Sequence, residues 1–581
     1  PYTKPQRMKF KFLFVSALML FFLNCNNSKK EEKKEGEIEV INVDEPIDQG
    51  KKKKVTDRDF SVTPENAYND LMLDSLAMER YIESRQLADK KISLRIRSFY
   101  NARNYHFAWF SSKGLTEQAR FFWNQYDYAV THLKDTTLVN SEFYKQAEKY
   151  LNQEKMTANS KDSLIRNTEF GFTEHFIRFI NSTYEKGYVK RKEQEKFVPI
   201  KKIDPIVMAD SLLNKKHSDD KYYEQVNDMY AGLKNNLQLY LDITKAGGWP
   251  TIPAIKKSLK IGDSLDVITS VKNRLQMTKD MPGVDSSSLF SDTLELAVKK
   301  FQRRHGYKET GEISNTLIKD MNVTASKRVM EILVNMDRMR WMPQKPKGNL
   351  IIVNLPEFML HVYDGKELVF DMVVVVGKVG NNTMMFNGDL NQIFFSPYWN
   401  VPQSIIKNEI MPAIARNPNY LANKNMEKTS WGIRQKPGPG NALGKVKFIF
   451  PNSFNMYFHD TPSKSLFGQD KRAFSHGCIR LSEPQKMAEW LLRNDAEWPK
   501  EKIVSAMNQT TEKGVKLKES IPVFIIYYTA WVDHEGLLNF RDDVYKHDSE
   551  LIKKMFEEPA DNSKDITKIM RIDNIKVSNT Q

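Results

Sequence analysis

A cysteine and two histidines in the C-terminal third of the chain carry the side chains that covalent acyl transfer requires. Cys478 lies in the hexapeptide Ser-His-Gly-Cys-Ile-Arg at 475–480, and His459 follows the apolar run Met-Tyr-Phe at 456–458. A thiol attacks a carbonyl carbon as its thiolate, so a nearby imidazole must accept the proton. The sequence therefore predicts a Cys–His pair that forms a thioester, without identifying the substrate.

Either histidine could be the base of this pair. His459 is expected at the end of a strand, which would hold its ring on an element separate from the cysteine. His476 is two residues from Cys478 on the same loop, where side chains need not converge. We assign His459 as general base toward the thiol and general acid toward the leaving amine, and His476 as a supporting residue.

Other residues are candidates for stabilising charge and for binding substrate. Gly477 allows a backbone path in which its N–H and that of Cys478 point at a developing oxyanion. Arg480 could bind a substrate carboxylate or hold the loop, and we favour the loop. The candidate substrate-binding residues are Tyr457, Trp399, Arg434 and Ser475. Core packing is an equal alternative for the two aromatic residues, and the serine hydroxyl is expected to hydrogen bond within its loop.

The cysteine count argues against an inert thiol at position 478. The chain has 2 cysteines, and the other, Cys25, lies at the end of a leader-like segment. A free cysteine is often a buried, unreactive residue. Cys478 is instead flanked by His and Gly and is the only cysteine beyond the leader, which indicates a chemical role.

The charge balance suits an anionic partner but does not indicate nucleic acid. Lys and Arg number 88 against 73 Asp and Glu, a net charge of +15, which would favour a membrane surface or an acidic polymer. The sequence has no zinc-finger spacing, no RNA-binding aromatic motif and no phosphate loop. We therefore expect no nucleic-acid partner.

The N-terminal residues are expected to direct export. Residues 1–7 precede the first methionine and are interpreted as non-native. Residues 8–25 combine a basic start with a short apolar run and end at Cys25, so the segment resembles a bacterial lipoprotein signal in which this cysteine is lipidated. A plain secretory signal is the alternative. Residues 26–57 are too charged to bury a core and are predicted to form a disordered tether.

The middle of the chain is predicted to be helical. Apolar residues recur at helical spacing through 58–250, which is interpreted as a helical scaffold. In 251–330, Leu294, Val298 and Phe301 mark one face of a helix that ends at Gly306. Together with the later turn glycine, this pattern resembles a small helical peptidoglycan-binding module.

From residue 347 to 530 the pattern favours a mostly antiparallel β domain. Short apolar runs alternate with turns, and Asp364-Gly365 is typical of a tight hairpin. An insertion at 403–444 contains the run Pro-Gly-Pro-Gly, which excludes regular structure there, and it is predicted to form a lid or a wall of the substrate site. Residues 531–581 are treated as a C-terminal extension.

The spacing of His459 and the 475–480 hexapeptide resembles the L,D-transpeptidase catalytic domain. The stretches at 399–402, 434–441 and 459–462 resemble the large periplasmic branch of that family, in which scaffold, wall-binding module and catalytic domain share one chain. The resemblance implies a multidomain α+β fold. It also implies that His459 is the base and that no metal or organic cofactor is needed.

The function implied is that of a transferase in cell-wall biogenesis. Cys478 would take an acyl group from one peptidoglycan stem peptide and pass it to the amine of another, which makes a 3→3 cross-link. The expected partners are donor and acceptor stems, a membrane reached through a lipid anchor, and carbapenem-type β-lactams as inhibitors. The expected location is the periplasm of a Gram-negative envelope. A carboxypeptidase, an enzyme that attaches protein to the wall, and an inactive wall-binding lipoprotein are the alternatives.

Overall fold

The computed structural model describes residues 55–87, 90–151, 153, 156–185, 197–214, 228–283, 285–343 and 348–557. The expectations for residues 1–7, for the signal at 8–25 with its lipidated Cys25, and for most of the tether at 26–57 lie outside these residues. No described helix is long and apolar enough to cross a membrane. A helical N-terminal region is followed by a β-rich C-terminal domain, which agrees with the expected multidomain α+β organisation.

The N-terminal region packs around buried aromatic side chains. Its helices are α1 (Ser75–Ser84), α2 (Lys90–Ala102), α3 (Glu117–Thr131), α4 (Ser141–Leu151), α5 (Ser163–Glu185), α6 (Pro205–Leu213) and α7 (Asp228–Lys245). A two-stranded hairpin, β1 (Phe110–Ser111) and β2 (Gly114–Leu115), precedes α3. Trp109 is fully buried, with its ring centroid 5.4 Å from that of Phe122 and 5.1 Å from that of Phe176. Large aromatic surfaces of this kind supply much of the burial that holds short helices together.

A second, smaller core comes next along the chain. It is formed by α8 (Asp266–Met277), α9 (Asp292–Arg304) and α10 (Asn315–Met321). The predicted helical face of α9 is confirmed, because Leu294, Val298 and Phe301 are all buried in this core. Gly306 lies just after the helix with φ of +74°, a left-handed conformation that a glycine adopts without strain.

The next helix, α11 (Ala325–Arg340), runs through the domain boundary expected at residue 330. Most of its residues are buried on all sides, and they belong to the core that the N-terminal region shares with the end of the chain. Arg338 is 1% exposed and forms ion pairs with Glu117 of α3 and with Asp548. The small module therefore ends near residue 321, and α11 joins the helical region to the β-rich domain.

The β-rich domain is built on a nine-stranded sheet. Its strands in chain order are β3 (Asn349–Asn354), β4 (Met359–Asp364), β5 (Glu367–Gly377), β6 (Phe386–Phe395), β10 (Val446–Ile449), β11 (Tyr457–His459), β12 (Ala473–Ser475), β13 (Ile479–Leu481) and β14 (Lys513–Ile526). Their order across the sheet is β12-β5-β13-β11-β10-β6-β14-β3-β4, and a further pairing links β4 back to β5. The pairings β11–β13, β12–β5 and β14–β3 are parallel, and the others are antiparallel.

One face of this sheet is covered by two short helices, α15 (Pro484–Leu491) and α16 (Lys500–Ala506). Their apolar residues, among them Met487 and Ile503, belong to the same buried core as Phe458 of β11 and Ile479 of β13. The alternation of side chains along a strand then leaves the neighbours of these two strand residues facing the other way. This division determines which side chains are available for chemistry.

The insertion at 403–444 forms a small unit of its own between β6 and β10. It contains a three-stranded sheet of β7 (Trp399–Asn400), β8 (Met426–Thr429) and β9 (Gly432–Gln435). Its helical part consists of α12 (Gln403–Ile405), a π-helical turn (Ile406–Ile410), α13 (Met411–Arg416) and α14 (Tyr420–Asn423). These elements enclose a separate apolar core, so the insertion has regular structure up to its Pro-Gly run, and the expected irregularity is confined to the run and the turns after it.

The segment expected as a C-terminal extension is integrated into both earlier parts of the structure as far as residue 557. It forms the hairpin β15 (Ala530–Val532) and β16 (Leu538–Phe540), and then α17 (His547–Met555). Tyr545 is buried in the core of the nine-stranded sheet, whereas Phe556 pairs in parallel with Ile203 of the helical region. The domain limit expected at residue 530 is therefore not a structural boundary.

Candidate active site

The two strands β11 and β13 bring the predicted catalytic residues to one face. They pair in parallel, with Phe458 opposite Ile479 and His459 opposite Arg480. Phe458 and Ile479 point into the core, so Tyr457 and His459 of β11 share the opposite face with Arg480 of β13 and with Cys478, which immediately precedes that strand. From strand spacing and rise, the Cα atoms of His459 and Cys478 are about 8 Å apart, which their side chains can span.

His459 is held as a neutral ring with a defined tautomer. It is 5% exposed, and its Nδ1 lies 2.5 Å from the backbone oxygen of Asp460. A carbonyl oxygen only accepts, so Nδ1 carries the proton and Nε2 keeps its lone pair. Burial, assisted by the positive charge of Arg480, lowers the pKa of His459 to about 4. The ring is therefore an unprotonated base at neutral pH.

Cys478 is a partly exposed free thiol in a site that disfavours the thiolate. Burial raises the pKa of Cys478 to about 11, and hydrogen bonds from the backbone and side chain of Tyr457 and the charge of Arg480 oppose this shift. The Sγ atom also lies 4.0 Å from the backbone oxygen of Asn455. The resting pair is thus a thiol and a neutral imidazole rather than an ion pair.

The loop before Cys478 is held by the Ser475 hydroxyl. This hydroxyl donates to the backbone oxygen of Cys478 at 2.6 Å and accepts the backbone N–H of Gly477 at 3.1 Å. Gly477 has φ of +119°, so the position requires glycine. The Gly477 N–H is directed at Ser475 and not at a substrate oxygen, which corrects the expectation for that group. Ser475 has the expected role within the loop.

His476 makes its side-chain contact with the insertion. Its Nε2 lies 2.8 Å from Oε1 of Glu409, which belongs to the π-helical turn. Both side chains are substantially exposed. The contact gives His476 a position between the Cys478 loop and the insertion.

The other two candidates for substrate binding lie in the insertion and have partners of their own. Trp399 packs against the apolar core of the insertion, as the alternative of core packing allowed. Arg434 forms an ion pair with Glu427 at 2.6 Å and stacks over Tyr398, with its guanidinium carbon 4.3 Å from the ring centroid. The structure brings Tyr457, by contrast, into direct contact with the Cys478 side chain.

Arg480 contributes charge to the site. It lies opposite His459 on the neighbouring strand, and its positive charge acts on both His459 and Cys478. Its Nε is buried and, among the described residues, makes no hydrogen bond. No cluster of three or more possible metal ligands occurs in the part of the chain that the structure describes.

Three residues near the site escaped the sequence analysis. Asp460 supplies the carbonyl that orients His459, Glu409 meets His476, and Thr383 donates to the backbone oxygen of Gly477. Asp460 could have been found from its position next to the histidine. Glu409 and Thr383 lie far from the cysteine in sequence and belong to no local pattern.

Comparison with known proteins identifies two regions of the chain. Residues 348–507 match the family model described as the L,D-transpeptidase catalytic domain, and residues 95–237 match the model described as a scaffold domain. The chain is 28% identical over 254 residues to the Haemophilus influenzae protein named "Putative L,D-transpeptidase". This match covers 40% of the chain and 50% of the relative, so the chain spans half the length of that protein.

Solved structures show only a distant similarity. An L,D-transpeptidase from Stackebrandtia nassauensis has a TM-score of 0.21 and 14% identity, covering 48% of this chain and 96% of that chain. An L,D-transpeptidase from Mycobacterium smegmatis has a TM-score of 0.19 and 15% identity, covering 31% of this chain and 58% of that chain. TM-scores this low say nothing about function. The match over residues 348–507 shows that this part of the chain is a domain of the L,D-transpeptidase catalytic type.

Proposed function

We propose that this protein is an L,D-transpeptidase that forms 3→3 cross-links in peptidoglycan through a thioester on Cys478. The observation that carries the proposal is the shared face of β11 and β13, which presents a neutral His459 beside the Cys478 thiol. A base at the end of one strand and a nucleophile at the start of the strand paired with it are fixed relative to each other, which favours a repeated covalent step.

The first half-reaction transfers an acyl group to the enzyme. Cys478 Sγ attacks the carbonyl carbon of the third residue of a donor stem, and the thiol proton passes to His459 Nε2. Because the resting pair is neutral, this proton moves during the attack and not before it. His459 then protonates the amine of the terminal D-Ala, the C–N bond breaks, and a thioester remains on Cys478.

The second half-reaction returns the enzyme to its resting state. The side-chain amine of the third residue of an acceptor stem attacks the thioester carbonyl and gives a proton to His459. The C–S bond then breaks, and the sulfur takes that proton back as the thiol. The charge of Arg480 stabilises the sulfur as it leaves, because it acts on Cys478 from the neighbouring strand.

The insertion forms a wall of the substrate site and acts as a lid. The contact between Glu409 and His476 supports this role, because it joins the insertion to the residue that precedes Gly477. Both side chains are exposed, so an ion pair between them is worth at most about 1 kcal/mol. A bond this weak holds the insertion near the site and can be broken when a stem peptide enters.

The parts of the chain outside the catalytic domain are assigned roles that bring the enzyme to the peptidoglycan. The module at 251–330 is assigned to peptidoglycan binding, and the segment up to Cys25 to a lipid anchor that keeps the enzyme in the periplasm. The net charge of +15 supports contact with an anionic envelope surface. The substrate exists only outside the cytoplasmic membrane, which agrees with this location.

A carbapenem tests the nucleophile. The protein is incubated with imipenem and its intact mass is measured, with Cys478→Ala and His459→Gln as matched variants. We expect one adduct on the wild type, none on Cys478→Ala and a strongly slowed adduct on His459→Gln. A wild type without adduct, or the same adduct on Cys478→Ala, would refute the thioester and favour an inactive wall-binding protein.

Analysis of products tests the reaction. Tetrapeptide-bearing peptidoglycan is incubated with the protein, digested to muropeptides and examined by mass spectrometry. Dimers with 3→3 linkage support the transpeptidase. Tripeptides alone would identify a carboxypeptidase, and a protein joined to the wall would identify an attachment enzyme.

A further inference from the structure

We propose that Thr383 is a positioning residue for the Gly477–Cys478 peptide, and that Tyr545 holds Thr383 in place. Tyr545 lies outside the residues that match the catalytic domain, which end at 507. This inference rests on the proposed function, since it concerns how Cys478 forms its acyl-enzyme. It adds Thr383 and Tyr545, whose hydroxyl groups support acylation of Cys478 although neither residue touches the substrate.

Thr383 makes two hydrogen bonds that fix its hydroxyl. It lies between β5 and β6 and is 2% exposed. Its Oγ1 donates to the backbone oxygen of Gly477 at 2.7 Å and accepts the backbone N–H of Gly377 at 2.9 Å. A hydroxyl has one hydrogen to donate, so the direction of the bond to Gly477 is determined.

Tyr545 fixes the segment that carries Thr383. Its hydroxyl donates to the backbone oxygen of Gly377 at 2.6 Å and accepts the backbone N–H of Thr383 at 3.4 Å. Tyr545 is itself held, because its N–H donates to the Tyr527 hydroxyl at 2.9 Å and its ring stacks on that of Tyr527 with centroids 5.7 Å apart. The hydroxyl groups of Tyr545 and Thr383 thus connect the end of the chain to the catalytic loop.

The bond from Thr383 determines where the Cys478 N–H points. A trans peptide unit is planar, with its carbonyl and its N–H on opposite sides. Holding the Gly477 carbonyl on the buried Thr383 therefore directs the Cys478 N–H the other way. Gly477 has no side chain to restrict rotation of this unit and lies at φ of +119°. The direction of the Cys478 N–H, the donor that faces a developing oxyanion, consequently depends on the hydrogen bond from Thr383, which lies outside the loop.

Ser475 cannot replace this contact. It bonds the Gly477 N–H and the Cys478 carbonyl, the two groups on either side of the peptide unit in question. Ser475 ends strand β12, which pairs with β5 at Gly377, and its hydroxyl holds these two flanking groups without reaching the Gly477 carbonyl. Thr383 lies on the segment between β5 and β6, and among the described residues it is Thr383 that holds the Gly477 carbonyl itself.

Two reactions of the same thiol test the proposal. Acylation by imipenem develops an oxyanion, whereas alkylation by iodoacetamide is a displacement at carbon that develops none. We expect Thr383→Val, which keeps the shape and removes the hydroxyl, to lower the acylation rate constant about 10- to 100-fold. Its alkylation rate constant at Cys478 should stay within about twofold of the wild type, since the thiol is unchanged. Thr383→Ser should restore acylation.

The variant Tyr545→Phe gives a second test that removes one hydroxyl and keeps the stacked ring. We expect a smaller loss of acylation than for Thr383→Val, again with alkylation unchanged. If Thr383→Val does not fold, as judged by circular dichroism, the ratio of acylation to alkylation in Tyr545→Phe tests the positioning role instead.

The outcomes separate this proposal from the proposed function. A wild type that imipenem acylates, with variants that react equally fast, overturns the positioning role alone. Equal losses in acylation and alkylation also overturn it, because they indicate general damage to the loop. A wild type that iodoacetamide alkylates but imipenem does not acylate overturns both proposals.

Discussion

Raising the pH from 5 to 11 is expected to increase the alkylation rate of Cys478 continuously, without a plateau near neutrality. Only the thiolate reacts with iodoacetamide, and burial raises the pKa of Cys478 to about 11. An ion pair between thiolate and imidazolium would behave differently, since its thiolate would be fully formed at pH 6. The pH profile therefore distinguishes the two states of the catalytic pair.

Two opposing contributions determine the alkylation rate of Cys478 at pH 7. At pH 7 a thiol with a pKa of about 11 is about 10⁻⁴ thiolate, compared with about 3% for an ordinary cysteine, a loss of about 300-fold. A more basic thiolate is also a better nucleophile, which recovers about tenfold over this difference in pKa. The thiolate fraction dominates, so Cys478 should react about 30-fold more slowly than an exposed cysteine at pH 7.

The assay is alkylation followed by peptide mass spectrometry, which reports Cys478 separately from Cys25. The matched control is His459→Gln. Because the pKa of His459 is about 4, the ring is neutral over this pH range and its removal should leave the alkylation profile nearly unchanged. A plateau below pH 7 that disappears in His459→Gln would refute the neutral pair.

Three further predictions concern stability and the orientation of the base. Arg338→Met should lower the free energy of unfolding by about 3–5 kcal/mol, measured by urea denaturation, because it leaves two buried carboxylates without their cation. His361 lies 3.0 Å and 2.6 Å from two carboxylates, which raise its pKa to about 10. The protonated imidazole therefore stabilises the folded state fully below about pH 6.5, and this contribution is lost as the pH rises to 10. The difference in free energy of unfolding between the wild type and His361→Gln should shrink by about 2 kcal/mol between pH 6.5 and pH 10. Gly444→Ala should slow imipenem acylation about 10- to 100-fold, because the new Cβ would lie 2.6 Å from Cβ of Asp460, whose carbonyl orients the catalytic histidine.

Each of these predictions has a control in the chain. Arg85→Met breaks an ion pair with a largely exposed carboxylate and should cost no more than about 1 kcal/mol; a similar loss for Arg338→Met would contradict the buried network. If the difference in free energy of unfolding between the wild type and His361→Gln stays constant from pH 6.5 to pH 10, His361 is not held as an imidazolium by the two carboxylates. Gly440→Ala meets no atom within 4 Å and should acylate normally, and an equal loss there would attribute the Gly444 effect to the loop as a whole.

The positions of Cys478 and His459 on neighbouring elements could be predicted, because short-range pattern and residue type indicate those elements. The apolar residues before His459 and the hexapeptide around Cys478 indicate a strand and a tight loop, and both form. Helix α9 was predictable for the same reason, since the 3.6-residue period determines its buried face. In each case the residues that indicate an element are the residues that form it, so no contact between distant parts of the chain is needed to predict it.

The contacts that complete the site could not be predicted, because they join residues that are distant in sequence. Thr383 reaches Gly477 across 94 positions, and Glu409 reaches His476 across 67. The limits of the folded units were hard to place for the same reason. Helix α11 is buried on nearly all sides, with Arg328, Asp337 and Arg338 among its buried residues, and only its packing assigns it to the shared core instead of the small module.

The burial of Tyr545 in the catalytic core also bears on the order in which the protein can mature. The pairing of Phe556 with Ile203, like the ion pair between Lys113 and Glu550 across 437 positions, forms only after nearly all of the described chain has been made. Contacts this distant are slow to form, because a long loop must close before they contribute. A growing chain that ends before residue 545 has Cys478, His459 and His476 but lacks the hydroxyl that holds the Thr383 segment. The thiol is therefore present before the Thr383 segment has its final contacts, and we expect such unfinished chains to be acylated poorly.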